Sequence, residues 1–182
     1  MKRLPDYLNG VEVERVLEVA SKDAFRNYLI IKLMWQCGLR ISEVANLMTR
    51  DIDFLDKKLK IVQSKREKDR YVSITAELLR ETRFYLDAQK IEAGHIFLST
   101  RKKQISTRRI QQLVGKYVKE AKIQKNVTAH TFRHSFAVNF LKHTKNLRAL
   151  QQILGHSDIK ATEMYLNLSF EDIQEDYERV WK

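Results

Sequence analysis

The sequence predicts a mainly α-helical protein with one small antiparallel β-sheet, an α+β fold. Apolar side chains recur at spacings of three and four along most of the 182-residue chain, which is typical of helices. Residues 52–74 instead alternate with a period of two, which indicates short strands. The sequence has no internal repeat and no Pro- or Gly-rich linker, so we expect a single domain over residues 1–182.

Three helices are predicted before the sheet. A helix over residues 11–20 has one apolar face, formed by Val13, Val16, Leu17 and Ala20. A longer apolar helix follows over residues 23–37, and Gly38 ends it because glycine adopts the left-handed conformation that closes many helices. Ser42 is the expected N-cap of a short third helix, so Arg40 lies in the bend before it.

The predicted sheet has three short strands, over residues 52–54, 59–62 and 71–74. A charged turn over residues 64–69 joins the last two strands. Thr75 is the expected N-cap of a helix that runs to about residue 90. The remaining predicted helices cover residues 107–121, 129–142, 146–154, 159–165 and 169–182.

The composition favours an intracellular protein that binds a polyanion. Lys and Arg number 34 against 23 Asp and Glu, which gives a formal net charge of +11, and nucleic acid is the first expected partner. The single cysteine, Cys37, excludes an internal disulfide and favours a reducing compartment such as the cytoplasm. No stretch reads as a signal peptide or a membrane span.

The basic residues are clustered in two stretches, 57–70 and 101–109, whereas residues 171–182 are acidic. Many basic faces are merely solvated, but local clusters opposed by an acidic tail favour a binding face. We expect phosphate contacts from these stretches, made by Lys57, Lys58, Arg66, Lys68, Arg70, Arg101, Lys102, Lys103, Arg108 and Arg109.

Arg133 lies within the apolar arc of the predicted helix over residues 129–142. A guanidinium in that position loses hydration unless it meets an anion or a fixed partner. His130 precedes it by three residues, so both side chains could reach one point. A structural arginine paired with an internal carboxylate, beside a histidine that caps the helix, is an equally consistent interpretation.

Two further segments have both a structural and a functional interpretation. Arg40 follows a buried helix end, and Glu43 could hold its guanidinium flat, although a surface arginine fits the same pattern. His156 lies in a turn after Gly155, and Tyr165 follows nine residues later. Alone, such a histidine is more often structural and such a tyrosine more often part of the core.

Taken together and in this order, the segments resemble the catalytic domain of the tyrosine recombinase or phage integrase family, most nearly its Xer-like branch. Residues 38–43 (Gly-Leu-Arg-Ile-Ser-Glu) resemble the first arginine box, and residues 130–134 (His-Thr-Phe-Arg-His) resemble the His-x-x-Arg box. Residues 154–156 resemble the Leu-Gly-His motif, with Tyr165 at the usual distance. Lys65 matches the lysine of the family's β-hairpin, and the resemblance extends over residues 4–175.

The resemblance implies the tyrosine recombinase catalytic-domain fold and a role for each motif residue. Tyr165 would attack a DNA phosphodiester and form a 3′-phosphotyrosyl link with a free 5′-hydroxyl. Arg40, Arg133 and His156 would hold the phosphate oxygens, because planar guanidiniums match the charge that gathers there. Lys65 would protonate the departing oxygen, and His130 would act as acid or base near the tyrosine. The reaction would need no metal, no ATP and no other cofactor.

Some positions depart from the family pattern. Ser64 and Ser73 replace a common Gly and Pro around the hairpin, which weakens the assignment of Lys65 against its neighbours Arg66 and Lys68. His134 has the spacing of a zinc pair with His130, but it lacks a third ligand and is taken as structural. Full-length relatives carry a core-binding domain before the catalytic one, and we expect that domain to be absent from this chain.

The expected function is that of a site-specific recombinase acting on double-stranded DNA at the nucleoid. The terminal segment 169–182 is either an intramolecular packing helix or, as in the family, a helix exchanged between protomers of a homotetramer on DNA. Three alternatives stay open. They are a type IB topoisomerase-like relaxing enzyme, a non-catalytic DNA-binding regulator on the same scaffold, and a metal-dependent nuclease.

Overall fold

The computed structural model describes residues 6–62, 69–155 and 165. Within these ranges the chain forms seven α-helices and one three-stranded antiparallel sheet, which confirms the predicted α+β class. None of the helices in the described ranges is long and apolar enough to cross a bilayer.

The element order follows the sequence pattern closely. The first helices are α1 (Gly10–Asp23), α2 (Phe25–Gln36) and α3 (Ile41–Asn46). A 3-10 turn (Thr49–Asp51) leads into the strands β1 (Ile52–Asp53), β2 (Lys58–Ile61) and β3 (Arg70–Ser73). The later helices are α4 (Ala76–Ala88), α5 (Thr107–Glu120), α6 (Ala129–Thr144) and α7 (Leu147–Leu154). The helices predicted over 159–165 and 169–182 lie, except for Tyr165, outside the described residues.

The helix caps agree with the sequence at α4 but not at α3. Thr75 Oγ1 accepts a hydrogen bond from the N–H of Leu78 at 3.2 Å, so the predicted cap is confirmed. The N-cap of α3 is Arg40 and not Ser42, so that prediction is wrong. The Glu43 carboxylate accepts the backbone N–H of Arg40 at 2.7 Å, and this bond starts the helix two residues earlier than expected.

Helix α2 lies at the centre of the core and packs against α1, α4 and α6. Its apolar residues are buried on all sides, as in a helix that neighbours surround. Lys32 is buried among them, and its ammonium contacts Glu77 and Glu81 of α4 at 2.8 and 2.9 Å. This packing fixes the C-terminal end of α2 against α6, the helix that carries His130 and Arg133.

The sheet has the order β1-β2-β3 with antiparallel pairing throughout. Ile52 pairs with Leu59, and Ile61 pairs with Arg70. Along β3 the odd positions are exposed, whereas Arg70 and Val72 point into the protein. The connection between β2 and β3 is the segment in which the sequence places Lys65.

Candidate active site

The bend after α2 brings α6 into contact with the backbone of residue 38. Gly38 has φ +62°, and a Cβ at this position would lie 2.5 Å from a ring carbon of Phe136 on α6. Only glycine combines that conformation with so close an approach. The chain therefore turns sharply over α6, and the charge of Arg40 acts on His130 in the first turn of that helix.

Glu43 holds the guanidinium of Arg40, as the sequence predicts. Arg40 Nη1 lies 3.1 Å from Glu43 Oε1, and the arginine side chain is 28% exposed whereas that of Glu43 is 5% exposed. Burial opposes ionisation of the carboxyl group, but its bonds to Arg70 and to the N–H of Arg40 keep the pKa of Glu43 below its usual value. The carboxylate is therefore charged at neutral pH.

Arg133 is among the largest fully buried side chains of the described residues. Its Nη1 donates to the carbonyl of Gly38 at 2.7 Å and its Nη2 to the carbonyl of Leu154 at 2.6 Å. These carbonyls lie at the C-terminal ends of α2 and α7, where helix dipoles favour a cation. Burial lowers the pKa of Arg133 to about 10, so the guanidinium stays charged at neutral pH.

His130 lies in the first turn of α6, one turn before His134. The two imidazole rings pack edge to face with centroids 4.6 Å apart. Partial burial and the positive charges of Arg133 and Arg40 lower the pKa of His130. Its imidazole is therefore neutral at pH 7, as a proton acceptor must be.

Tyr165 contacts His134, a residue that the sequence analysis took as structural. The tyrosine hydroxyl lies 2.5 Å from His134 Nδ1, and the tyrosine is 3% exposed. Burial raises the pKa of Tyr165 to about 12, and the charge of Arg133 acts in the opposite direction. The phenol is thus a weak nucleophile at rest, and His134 is placed to accept its proton. The only sequence signal for His134 is its spacing of four from His130.

Arg70 does not lie where the sequence analysis expected it. A DNA contact was expected, but the side chain of Arg70 is 8% exposed and its guanidinium pairs with Glu43 at 2.7 Å. The alternation of β3 explains this burial, since Arg70 shares the buried face with Val72. The same alternation is the signal that could have found it.

The other basic candidates that the structure describes are exposed, as a phosphate-binding surface requires. Lys57 lies in the turn before β2, and Lys58 is the first residue of that strand and pairs with Asp56 at 2.8 Å. The next cluster lies between α4 and α5, where Gln104 donates to the carbonyl of Ala45 at 3.0 Å and so joins this loop to α3. This exposed cluster and the first turn of α5 contain Arg101, Lys102, Lys103, Arg108 and Arg109.

Two of the predicted catalytic residues, Lys65 and His156, lie outside the described residues. Arg66 and Lys68, which the sequence assigned to DNA binding, lie there as well. Among the residues that the structure does describe, no group of three His, Cys, Asp or Glu could hold a metal ion. The described part of the site therefore consists of Arg40, Glu43, Arg70, His130, Arg133, His134 and Tyr165.

Comparison with known proteins gives a family match over most of the chain. The model described as "Phage integrase family" matches residues 6–172. A tyrosine recombinase from Pseudothermotoga lettingae is 36% identical over 168 residues, which are 92% of this chain and 58% of the relative. The tyrosine recombinase XerA of Pyrococcus furiosus is 34% identical over 182 residues, covering 98% of this chain and 63% of the relative.

Solved structures give the same fold. The crystal structure of XerA recombinase superposes with a TM-score of 0.86 at 32% identity, and the match covers 98% of this chain and 66% of that chain. XerH bound to its difH substrate in a post-cleavage complex has a TM-score of 0.82 at 22% identity, which supports the fold alone. The chain thus spans roughly three-fifths of the length of the curated relatives that it matches.

Proposed function

The chain belongs to the phage integrase family of tyrosine recombinases, and on that premise we propose that it cleaves and rejoins DNA strands at specific recombination sites. The observation that carries the proposal is the contact of the Tyr165 hydroxyl with His134 on α6, close enough to Arg133 for its charge to act on the tyrosine, while Arg133 in turn feels the charge of Arg40. The tyrosine hydroxyl supplies the nucleophile, and the two guanidiniums supply fixed positive charge where negative charge develops.

The proposed reaction exchanges one phosphodiester for another. Tyr165 Oη attacks the scissile phosphorus and forms a 3′-phosphotyrosyl bond, while the bond to the 5′-oxygen breaks. His134 receives the phenolic proton, since its Nδ1 already lies 2.5 Å from that oxygen, and His130, whose ring packs against that of His134, acts as acid or base beside it. Lys65 protonates the departing 5′-oxygen, and His156 donates a hydrogen bond to the phosphate. Because the bond energy is kept in the intermediate, religation needs no ATP.

DNA is held in this proposal by the basic residues of the two charged stretches. Lys57, Lys58, Arg66, Lys68 and the cluster over 101–109 contact backbone phosphates, which position the duplex without reading its sequence. We propose that residues 1–182 act as one catalytic domain and that the protein works in the cytoplasm on nucleoid DNA. We further propose a homotetramer on DNA, in which the acidic segment 169–182 of each protomer docks on its neighbour.

A plasmid assay distinguishes the proposed function from its alternatives. Duplexes selected by the protein from a random-sequence library are cloned as pairs into a supercoiled plasmid. We expect recombinant circles, and we expect the same yield in EDTA because arginines take the place of a catalytic metal ion. Relaxation of the plasmid without strand exchange would favour a topoisomerase. Cleavage that EDTA abolishes would favour a nuclease, and DNA binding without any cleavage would favour a regulator.

The contact between His134 and Tyr165 makes a separate prediction. His134→Phe keeps a ring in place but removes the nitrogen that accepts the phenolic proton. We expect the rate of covalent adduct formation on a nicked duplex to fall on the order of 10²-fold, as for loss of a general base. The matched control is His143→Phe, an exposed histidine near the end of α6 whose Nδ1 contacts only the Asn139 carbonyl among the bonds described. Equal rates in both variants would remove His134 from the reaction.

A further inference from the structure

Glu43 places a carboxylate beside both arginines of the proposed phosphate clamp. Its Oε1 lies 3.1 Å from Arg40 Nη1, and its Oε2 lies 3.8 Å from Arg133 Nη1. A carboxylate accepts the forked guanidinium donors in the same way as a phosphate does. Glu43 therefore competes with DNA for these two groups unless another cation holds it.

Arg70 supplies that cation in a forked, bidentate arrangement. Its Nη1 lies 2.7 Å from Glu43 Oε1 and its Nη2 lies 2.9 Å from Oε2. Arg40 contributes one backbone bond at 2.7 Å and one longer side-chain bond at 3.1 Å. The shortest side-chain bonds to the carboxylate described here thus come from Arg70, which takes both oxygens at once.

The guanidinium of Arg70 is fixed from two further sides. Its Nε donates to the carbonyl of Ile153 at 2.7 Å, in the last turn of α7. Gly155 covers its side chain closely, since a Cβ at this glycine would lie 2.8 Å from Arg70 Cδ. The backbone of Arg70 pairs with Ile61 in the sheet. One side chain therefore connects β3, the start of α3 and the end of α7.

We infer that Arg70 is a positioning residue of the cleavage site, which holds the Glu43 carboxylate so that Arg40 and Arg133 stay available to the DNA phosphate. This inference rests on the proposed function. Arg70 contacts neither the nucleophile nor the DNA in this account. It acts through Glu43, and through the ends of the two segments that lead to Lys65 and His156.

Loss of Arg70 has an electrostatic consequence that loss of packing alone would not have. In Arg70→Met the carboxylate of Glu43 has lost its bidentate partner and moves onto Arg40 and Arg133. The carboxylate then holds the two guanidiniums more tightly than in the unchanged protein, in which Arg40 already shares it with Arg70. A second change, Glu43→Gln, removes the competing charge and so weakens this hold on the two guanidiniums. The double variant is therefore expected to be more active than Arg70→Met, although it carries one more substitution.

The test measures adduct formation under single-turnover conditions on a nicked duplex selected by the protein, together with the dissociation constant. We expect Arg70→Met to react about 10²-fold more slowly than the unchanged protein, with little change in binding. The double variant Arg70→Met with Glu43→Gln is expected to form the adduct about tenfold faster than Arg70→Met alone. The matched control is Arg26→Met, which removes a part-buried arginine that bonds Asn27 and the Leu98 carbonyl and is expected to leave the rate unchanged.

Thermal unfolding is recorded for every variant. If Arg70→Met does not fold, Arg70→Lys replaces it, because lysine keeps the charge but loses the forked pair of donors. We expect this variant to form the adduct about tenfold more slowly than the unchanged protein. Adding Glu43→Gln is expected to restore the rate. A double variant no faster than the single one, or a single variant as fast as the unchanged protein, overturns the inference. An unchanged protein that forms no adduct contradicts the proposed function, and the inference with it.

Discussion

Tyr165→Phe is expected to abolish covalent capture of DNA while DNA binding and folding persist. The substitution removes one oxygen, and that oxygen is the atom proposed to form the bond to phosphorus. No neighbouring side chain in the described site offers an equivalent nucleophile, because the groups around it are arginines and imidazoles. The measurement is a denaturing gel of protein incubated with a labelled nicked duplex, in which the nick prevents religation.

The fold of the Tyr165→Phe variant is expected to hold. Its ring still fills the buried position, and only the hydrogen bond to His134 is lost, which costs about 1 kcal/mol of unfolding free energy. The matched control is Tyr71→Phe, which removes the hydroxyl of a tyrosine that is 63% exposed on β3. A DNA adduct that survives Tyr165→Phe would show that another residue is the nucleophile.

Arg133→Lys is expected to slow adduct formation about 10²- to 10³-fold, as for removal of one donor from a site that stabilises developing charge. The arginine reaches the carbonyls of Gly38 and Leu154 with two different nitrogens, and its planar fork is oriented by them. A lysine carries one nitrogen on a flexible stem and cannot meet both carbonyls and a phosphate together. DNA binding is expected to change much less, because the positive charge remains.

The same variant separates catalysis from stability. Leaving a buried carbonyl without its donor costs about 1–3 kcal/mol, so the unfolding free energy is measured by denaturant titration alongside the rate. Arg83→Lys is the control, since its guanidinium stacks on the ring of Phe54 on the surface of the protein. If the Arg133→Lys protein cleaves DNA at the unchanged rate, Arg133 has a purely structural role, with which its burial is also consistent.

The sequence predicted those features that local spacing determines. The period of three and four located the helices, and the distance from Arg40 to Glu43 predicted the ion pair that the structure contains. Arg133 stood out because a charged side chain occupied an apolar helix face. Such patterns are visible in one segment of chain and do not depend on how the segments pack.

The remaining features depend on contacts between distant segments. His134 and Tyr165 are 31 residues apart and meet only because the fold brings Tyr165 against α6. Arg70 and Glu43 are 27 residues apart. The charge pattern of residues 57–70 suggested that all the basic side chains there are exposed, whereas the alternation of β3 buries Arg70. The cap of α3 was missed because a carboxylate three residues away took the place of the serine hydroxyl.

The most direct test of the proposed chemistry is to identify the bond in the covalent complex. The adduct formed on a nicked duplex is digested with protease and nuclease, and the nucleotide-bearing peptide is sequenced by mass spectrometry. We expect a single nucleotide attached through its 3′-phosphate to the Tyr165 oxygen, and a released strand with a free 5′-hydroxyl that kinase labels directly. A nucleotide on any other residue, or a 5′-phosphate link to Tyr165, would contradict the account.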